Sequence, residues 1–224
     1  MLNQEVKGII FDMDNTLLQS KINFPAMKEA VFQFLLGHGF FEPGYDWKRY
    51  TASQLIEKAR MSTRMENTIE EEIWRTVARF EEEGMHGASL EPGMADLLAV
   101  LHERCCLVVL TNNAHPAAET ALRETGIAKY FDYIAGREQV QALKPSSLGV
   151  QHILGRYPHI RVTEWLFVGD SWIDGKAAQD GNVRFAAYGG NREEMEGHGV
   201  LPAVYLAEAR ELLRYVEGGY REGA

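Results

Sequence analysis

The chain alternates short, wholly apolar runs with stretches in which apolar residues recur every three or four positions. Gly8-Ile9-Ile10-Phe11 runs into Asp12, and Leu107-Val108-Val109-Leu110 runs into Thr111-Asn112. Trp165-Leu166-Phe167-Val168 runs into Gly169-Asp170, and Val183 to Tyr188 runs into Gly189-Gly190. Continuous apolar runs of this length predict strands buried on both faces, and Ala203 to Leu206 predicts a last one. Between them, Met94 to Glu103 places Met94, Leu97, Leu98 and Leu101 on one helical stripe. Pro116 to Thr125 opens on a proline suited to a first helical turn and meets Gly126 as a stop. Shorter helices are predicted over Ser147 to Leu154 and Asp174 to Asp180. A final one runs over Ala207 to Val216, before a glycine-rich tail that frays from Gly218. Strands alternating with helices predict a parallel α/β sheet.

The segment 19–91 breaks this rhythm. Ala26 to Leu36, Thr51 to Arg60 and Ile69 to Glu83 read as helices, and no strand is predicted. Gly37, Gly39, Pro43 and Gly44 interrupt the middle, and Gly84, Gly87, Pro92 and Gly93 punctuate the far end. A helical block inserted after the first strand accounts for a length of 224 residues, about one and a half ordinary domains.

Composition narrows the class. Hydrophobic residues make up 46% and charged residues 25%, a globular mix, and the net charge is −9. So acidic a chain is a poor candidate for gripping a nucleic acid backbone, where Lys and Arg supply the affinity. The only two cysteines, Cys105 and Cys106, are adjacent. They suit neither a disulfide framework nor a zinc site, and a reducing, cytoplasmic setting is expected. Met1 to Lys7 lacks the pattern of a signal peptide, and no apolar run approaches the length of a membrane span.

Ligands of an open parallel sheet sit beyond the carboxyl ends of its strands. Those ends present Asp12 with Asp14, Thr111 with Asn112, and Asp170 with Asp174, while Lys144 lies in the loop Leu143-Lys144-Pro145-Ser146. Crowded carboxylates must be neutralised, and oxygen ligands in modest number suit Mg²⁺ shared with a substrate phosphate. A Lys and a Thr aimed at one place would hold that phosphate. An Asp is a competent nucleophile toward phosphorus, and a second carboxylate, Asp14, could protonate the leaving oxygen and then activate water. The acidic cluster also removes any argument from net charge against an anionic substrate, because a bound cation inverts the local sign.

Asp12-Met13-Asp14-Asn15-Thr16 resembles the DxDxT motif of the phosphatase branch of the haloacid dehalogenase (HAD) superfamily. Thr111-Asn112, Lys144-Pro145 and Gly169-Asp170-Ser171 with Asp174 resemble its second, third and fourth motifs, in the right order and spanning nearly the whole chain. The resemblance implies a Rossmann-like catalytic core over 1–18 and 92–224 with a helical cap domain over 19–91. It implies Asp12 as nucleophile and metal ligand. Asp14 would be the acid/base, and a metal ligand through its backbone carbonyl. Thr111, Asn112 and Lys144 would bind the phosphoryl group; Asp170 would bind Mg²⁺, and Asp174 would join the metal site through water or orient Lys144. The substrate would be a small phosphorylated metabolite, such as phosphoglycolate, a sugar phosphate, a nucleoside monophosphate or pyridoxal phosphate. The protein would be a monomer or weak homodimer, without nucleic acid or membrane partners. Asn15, where Gly is commoner, and Ser146-Ser147 after Lys144-Pro145 depart from the pattern without touching a catalytic position.

Other readings are weaker. A phosphomutase of the beta-phosphoglucomutase type would share the core, the cap and Asp14. A dehalogenase would lack Asp14's carboxylate, and a phosphoryl-transfer ATPase would need more chain, with nucleotide or membrane segments. A non-enzymatic phospho-accepting regulatory module would carry an adjacent acidic pair and no cap. A calcium loop starting at Asp12 fails, because Leu17 and Asn23 stand where Gly and Glu are needed. His115 reads more simply as a helix-start residue than as a site residue. In the helical segment Trp47, Lys48, Arg49, Tyr50, Arg60, Arg64 and Trp74 supply candidate contacts to a substrate's far end. Glu81-Glu82-Glu83 reads as a solvated helix end, and Gly84 and Gly87 as hinge points.

Overall fold

The computed structural model describes residues 5–217, so the tail from Gly218 lies outside the described residues. Along the chain run β1 (Gly8–Phe11), β2 (Leu18–Gln19), α1 (Phe24–Gly37), α2 (Ala52–Arg60), α3 (Asn67–Met85), β3 (Ser89–Leu90) and α4 (Met94–Leu101). There follow β4 (Cys106–Leu110), α5 (His115–Glu124), β5 (Tyr133–Ala135), α6 (Leu148–Arg156), β6 (Trp165–Gly169) and α7 (Trp172–Asp180). The last elements are β7 (Arg184–Tyr188), α8 (Arg192–Gly197), β8 (Val204–Leu206) and α9 (Ala209–Val216).

Six strands form one sheet in the order β5-β4-β1-β6-β7-β8, and every pairing in it is parallel. β1 lies centrally, its Phe11 level with Val109 of β4 and Val168 of β6. Ile10, Val108, Phe167 and Phe185 cluster with Val150 and Ile153 of α6 and Ala177 and Ala178 of α7. The alternate residues Ile9, Phe11, Leu107, Val109, Leu166 and Val168 turn to the opposite face and are also fully buried. Both faces are therefore covered, which is why these strands read as unbroken apolar runs. The expected parallel α/β sheet is the one observed. β5 and α8 were not legible: β5 is a three-residue edge strand with only Ala135 fully buried, and α8 is a polar turn and a half anchored by Met195 alone.

The chain divides into two compact units: residues up to Ser20 together with those from Ala88 onward, and Lys21–Gly87 between them. Leu18 and Gln19 pair antiparallel with Leu90 and Ser89. This ribbon keeps 19–20 and 88–91 with the sheet unit, so the division lies inside the expected boundaries at 18/19 and 91/92. It also corrects the expectation of no strand over 19–91; two residues per strand leave no periodicity to read.

The Lys21–Gly87 unit is helical. Asn23 caps α1 by accepting from the Ala26 N–H at 3.1 Å, and Thr51 and Gln54 form a capping box on α2. Val31 and Leu35 of α1, Leu55 and Ile56 of α2 and Ile73 of α3 are all fully buried. Trp47 stacks on Phe32 at 5.0 Å. Arg60 pairs with Glu57 and Glu70, Arg64 donates to the Gly39 carbonyl at 2.9 Å, and Arg49 donates to Tyr50. Glu81 is 2% exposed, so the reading of 81–83 as a solvated helix end holds only for Glu82 and Glu83. Gly84 sits inside α3 against the Ile22 backbone. Among the described residues no helix is long and apolar enough to cross a membrane.

Glu164 ties the lower edge of the sheet. It accepts from Lys7 at 2.9 Å, from the Arg161 side chain at 2.8 Å and from the Arg161 N–H at 2.9 Å. Those hydrogen bonds, led by Arg161's, hold its carboxyl well below the usual carboxylate range. A depressed carboxylate contributes stability above its unfolded pKa, about 4.3 for Glu, and loses it as pH falls toward the folded value. Glu164→Gln is therefore expected to lower Tm at pH 7, with the gap to the parent narrowing below about pH 4. Thermal melts from pH 7 to pH 3 check this.

Candidate active site

The parallel register brings the carboxyl ends of β1, β4 and β6 level, and the residues just beyond them converge. The Asp12 N–H still donates to Val168 at 2.9 Å and the Thr111 N–H to Ala135 at 3.0 Å, so both residues leave the sheet from fixed positions. After Asp12 the chain turns sharply: the Leu17 and Leu18 N–H groups return to the Met13 carbonyl at 2.9 and 3.0 Å. Asn15 sits at φ 56°, in the left-handed region that Asn tolerates better than most residues. That explains why Asn serves at a position where Gly is commoner. The turn leaves Asp12 and Asp14 buried on the same edge.

Lys144 is the hub. Its ammonium is 3% exposed, donates to Asp174 Oδ1 at 2.7 Å, and forms an ion pair with Asp12 Oδ1. Burial works against its charge, but Asp12 and Asp174 outweigh that and hold its pKa above the ordinary lysine range. Asn112 fixes the loop that carries it: Nδ2 donates to the Lys144 carbonyl at 3.0 Å, and Oδ1 accepts the Lys144 N–H at 2.9 Å. The amide expected to bind substrate is thus engaged in positioning Lys144.

Asp174 faces two ways. Oδ1 meets Lys144, while Oδ2 accepts from Ser171 Oγ at 2.6 Å and from the Ser171 N–H at 3.1 Å. This capping box starts α7 at Trp172, two residues before the predicted start. One carboxylate oxygen from each of Asp12, Asp170 and Asp174 lies within 4.8 Å of the others. The side chain of Asp14 is not in that group. Its Oδ2 accepts from Asn113 Nδ2 at 2.7 Å, and its Oδ1 is buried without a hydrogen-bond partner.

The electrostatics describe a site short of positive charge. Burial pushes Asp12 well above the usual carboxylate range, Asp174 adds to the rise, and Lys144 opposes it. Burial also raises Asp14, while the nearby Ser20 hydroxyl and the Asn113 amide ease the rise. Asp170 is pushed up to about 7, by burial first and then by Asp174. Hard oxygen donors, crowded and under-neutralised, are the donor set that fits Mg²⁺. Thr111 is buried, and its Oγ1 accepts the Asn113 N–H at 3.1 Å. His115 opens α5, packs on Gly136 and donates its N–H to Glu138 at 2.7 Å.

Three residues of the site carried no assigned role in the sequence reading. Asn113 stands beside a motif and Ser171 within one, and both are set apart only by the partners they reach. Gly190 stands after the apolar run that ends at Tyr188. It has φ +76°, and a Cβ on it would lie 2.0 Å from the Asp170 carbonyl oxygen, so the β7–α8 turn presses directly on the Asp170 backbone. Its neighbour Gly189 also has positive φ, +62°, but a Cβ there would meet nothing within 4 Å.

Residues 6–182 match the family model described as haloacid dehalogenase-like hydrolase. The chain is 27% identical over 190 residues to a phosphoglycolate phosphatase of Rhodobacter capsulatus, covering 81% of this chain and 83% of that one. It is 30% identical over 202 residues to a phosphoglycolate phosphatase of Vibrio vulnificus, with 84% and 85% covered. Its fold is similar to that of a haloacid dehalogenase-like family hydrolase from Streptococcus pneumoniae (TM-score 0.64, 18% identity, 94% and 98% covered). A HAD-superfamily hydrolase, subfamily IA, from Geobacter sulfurreducens is similar to a like degree (TM-score 0.61, 23% identity, 96% and 99% covered). The strand-end acids, the buried lysine and the matched sequence agree: this chain belongs to the haloacid dehalogenase-like hydrolases, in their phosphatase branch.

Proposed function

We propose that the protein is a Mg²⁺-dependent phosphatase that hydrolyses a small phosphorylated metabolite through a phosphoryl group carried on Asp12. The observation that carries this reading is Lys144, buried between Asp12 and Asp174 beside the oxygens of Asp170. Asp12, Asp170 and the Asp14 backbone carbonyl would hold Mg²⁺, with Asp174 nearby. When bound, the ion offsets charge on the phosphoryl oxygens and on the crowded carboxylates.

Asp12 attacks phosphorus in line while Asp14 gives its proton to the leaving alkoxide. Asp14 then takes a proton from water as that water displaces Asp12 from phosphorus. Lys144 and Thr111 hold the phosphoryl oxygens, the positioning and charge balance on which phosphoryl transfer depends. Asn112 acts one step back, through Lys144. The Lys21–Gly87 unit is the cap, which would exclude water during transfer and reopen for exchange. Two relatives named phosphoglycolate phosphatase put a short phosphorylated hydroxy acid first among the substrates. Burial raises the Cys105 and Cys106 thiols to about 11 and about 12; they take no part, and their free state suits a cytoplasmic setting.

Asp12→Asn is expected to abolish phosphate release from a panel of phosphorylated metabolites while keeping the parent's Tm within a few degrees, because it removes one charge from an over-acidic cluster. Near-normal turnover would reject Asp12 as nucleophile. Sugar phosphate isomerisation without free phosphate would favour the mutase. Excess chelator is expected to silence the parent and added Mg²⁺ to restore it; activity persisting in chelator sinks the metal role.

The two adjacent glycines separate backbone strain from crowding. Gly189→Ala and Gly190→Ala each place alanine at positive φ, a strain of roughly 1–2 kcal/mol, but only the second displaces Asp170. Gly190→Ala is expected to weaken Mn²⁺ binding, read by calorimetry, by at least about tenfold, or about 1.4 kcal/mol. Gly189→Ala is expected to bind like the parent. Equal affinities in the two variants would show that the turn does not set Asp170.

A further inference from the structure

Asn113 lies just beyond β4, two residues after Thr111, and is 5% exposed. Its backbone is held at both ends: the N–H donates to Thr111 Oγ1 at 3.1 Å, and the carbonyl accepts the Arg137 N–H at 2.8 Å. With the backbone fixed, the side-chain amide has little freedom, and Nδ2 donates to Asp14 Oδ2 at 2.7 Å. The other oxygen, Asp14 Oδ1, is buried with no hydrogen-bond partner, and Ser20 Oγ close by likewise forms no hydrogen bond. The two oxygens of one carboxyl group are therefore unequal: Oδ2 holds the Asn113 amide, and Oδ1 has only the Ser20 hydroxyl nearby, outside hydrogen-bond geometry.

That inequality has a chemical consequence. An amide NH₂ can only donate. It bonds better to a carbonyl-type oxygen than to the hydroxyl oxygen of a neutral acid, so it favours the form of protonated Asp14 in which Oδ2 is the carbonyl and Oδ1 carries the proton. We propose that Asn113 is the positioning residue for proton transfer: it locks the Asp14 carboxyl and assigns the moving proton to Oδ1, the oxygen without a hydrogen-bond partner. This rests on the reading of Asp14 as acid/base. In the first step the Asp14 Oδ1–H bond breaks and the proton goes to the leaving oxygen, which departs with the electron pair of its bond to phosphorus as Asp12 bonds to phosphorus. In the second, water bonds to phosphorus and gives its proton back to Asp14 Oδ1, and the Asp12–phosphorus bond breaks. Because the backbone N–H of the same Asn113 donates to Thr111 Oγ1, one residue couples the proton donor to the phosphate-holding hydroxyl.

The discriminating measurement is dependence on the leaving group. An alkyl phosphate such as 2-phosphoglycolate needs its leaving oxygen protonated, whereas p-nitrophenyl phosphate expels a stable phenolate without help. Asn113→Leu, which keeps bulk and removes the donor, is expected to lower kcat on the alkyl phosphate by about 10- to 100-fold. That is part of the roughly 10²–10⁴ that general acid–base catalysis contributes. KM should change by less than about threefold, and so should the first-turnover burst of p-nitrophenolate; a fault of the fold would move both. If Asn113→Leu does not fold by circular dichroism, Asn113→Ala is read in the same way. Equal losses on both substrates, or none on either, would overturn the proposal. Asp14→Asn run in parallel separates the two levels of inference. If it shows no leaving-group dependence, the acid/base reading of Asp14 fails. If it shows the dependence and the Asn113 variant does not, only the role of Asn113 fails.

Discussion

The ammonium of Lys144, out of water and shared between Asp12 and Asp174, is the interaction on which the rest of the site depends. A buried charge is tolerated only when it is paired and hydrogen-bonded; leaving Lys144 with neither acid would cost roughly 3–5 kcal/mol, whereas loss of one leaves it paired with the other. The surrounding structure keeps both partners in place. Asn112 grips the Lys144 backbone from both sides, Ser171 holds the far oxygen of Asp174, and the central strand of the sheet delivers Asp12.

The same arrangement leaves negative charge in excess, since Asp14 and Asp170 crowd the cluster without a cation of their own. Burial raises both of them, a state that a divalent ion bound among the acids would relieve by its charge. Division of labour among the acids follows from their partners. Asp174 is tied to Lys144 and Ser171, Asp12 to Lys144 and Asp14 to Asn113, while one oxygen each of Asp12, Asp170 and Asp174 lies within 4.8 Å of the others. Backbone closeness supplies the last constraint, with the turn at Gly190 resting on the Asp170 carbonyl.

Much of this was legible before any coordinates. Strands buried on both faces announce themselves as unbroken apolar runs, and Asp12, Thr111 and Asp170 each stood directly after one of them. The four motifs lay in order, and the acids and the lysine they contain do converge. Other features left no trace in the pattern. The β2–β3 ribbon has two residues per strand, β5 three, and α8 a single buried anchor. Glu81 looked like its neighbours in a run of three glutamates, yet it alone is covered. Asn112 and Asn113 are identical residues side by side, and nothing local says that one holds Lys144 and the other Asp14.

By itself the sequence determined the parallel α/β class, the helical insertion, the identity of the acids, and the family whose motifs they compose. The first three follow from local physics, since periodicity reports which faces are buried and residue type reports available chemistry; the family follows from the resemblance of the ordered motifs. The tertiary structure decided the pairings. Lys144 reaches Asp12 across 132 residues and Asn113 reaches Asp14 across 99. Which oxygen each meets depends on the register of β1 against β4 and β6 and on the turns that follow them. Partner choice between distant side chains is set by that shared geometry, and no window along the chain contains it.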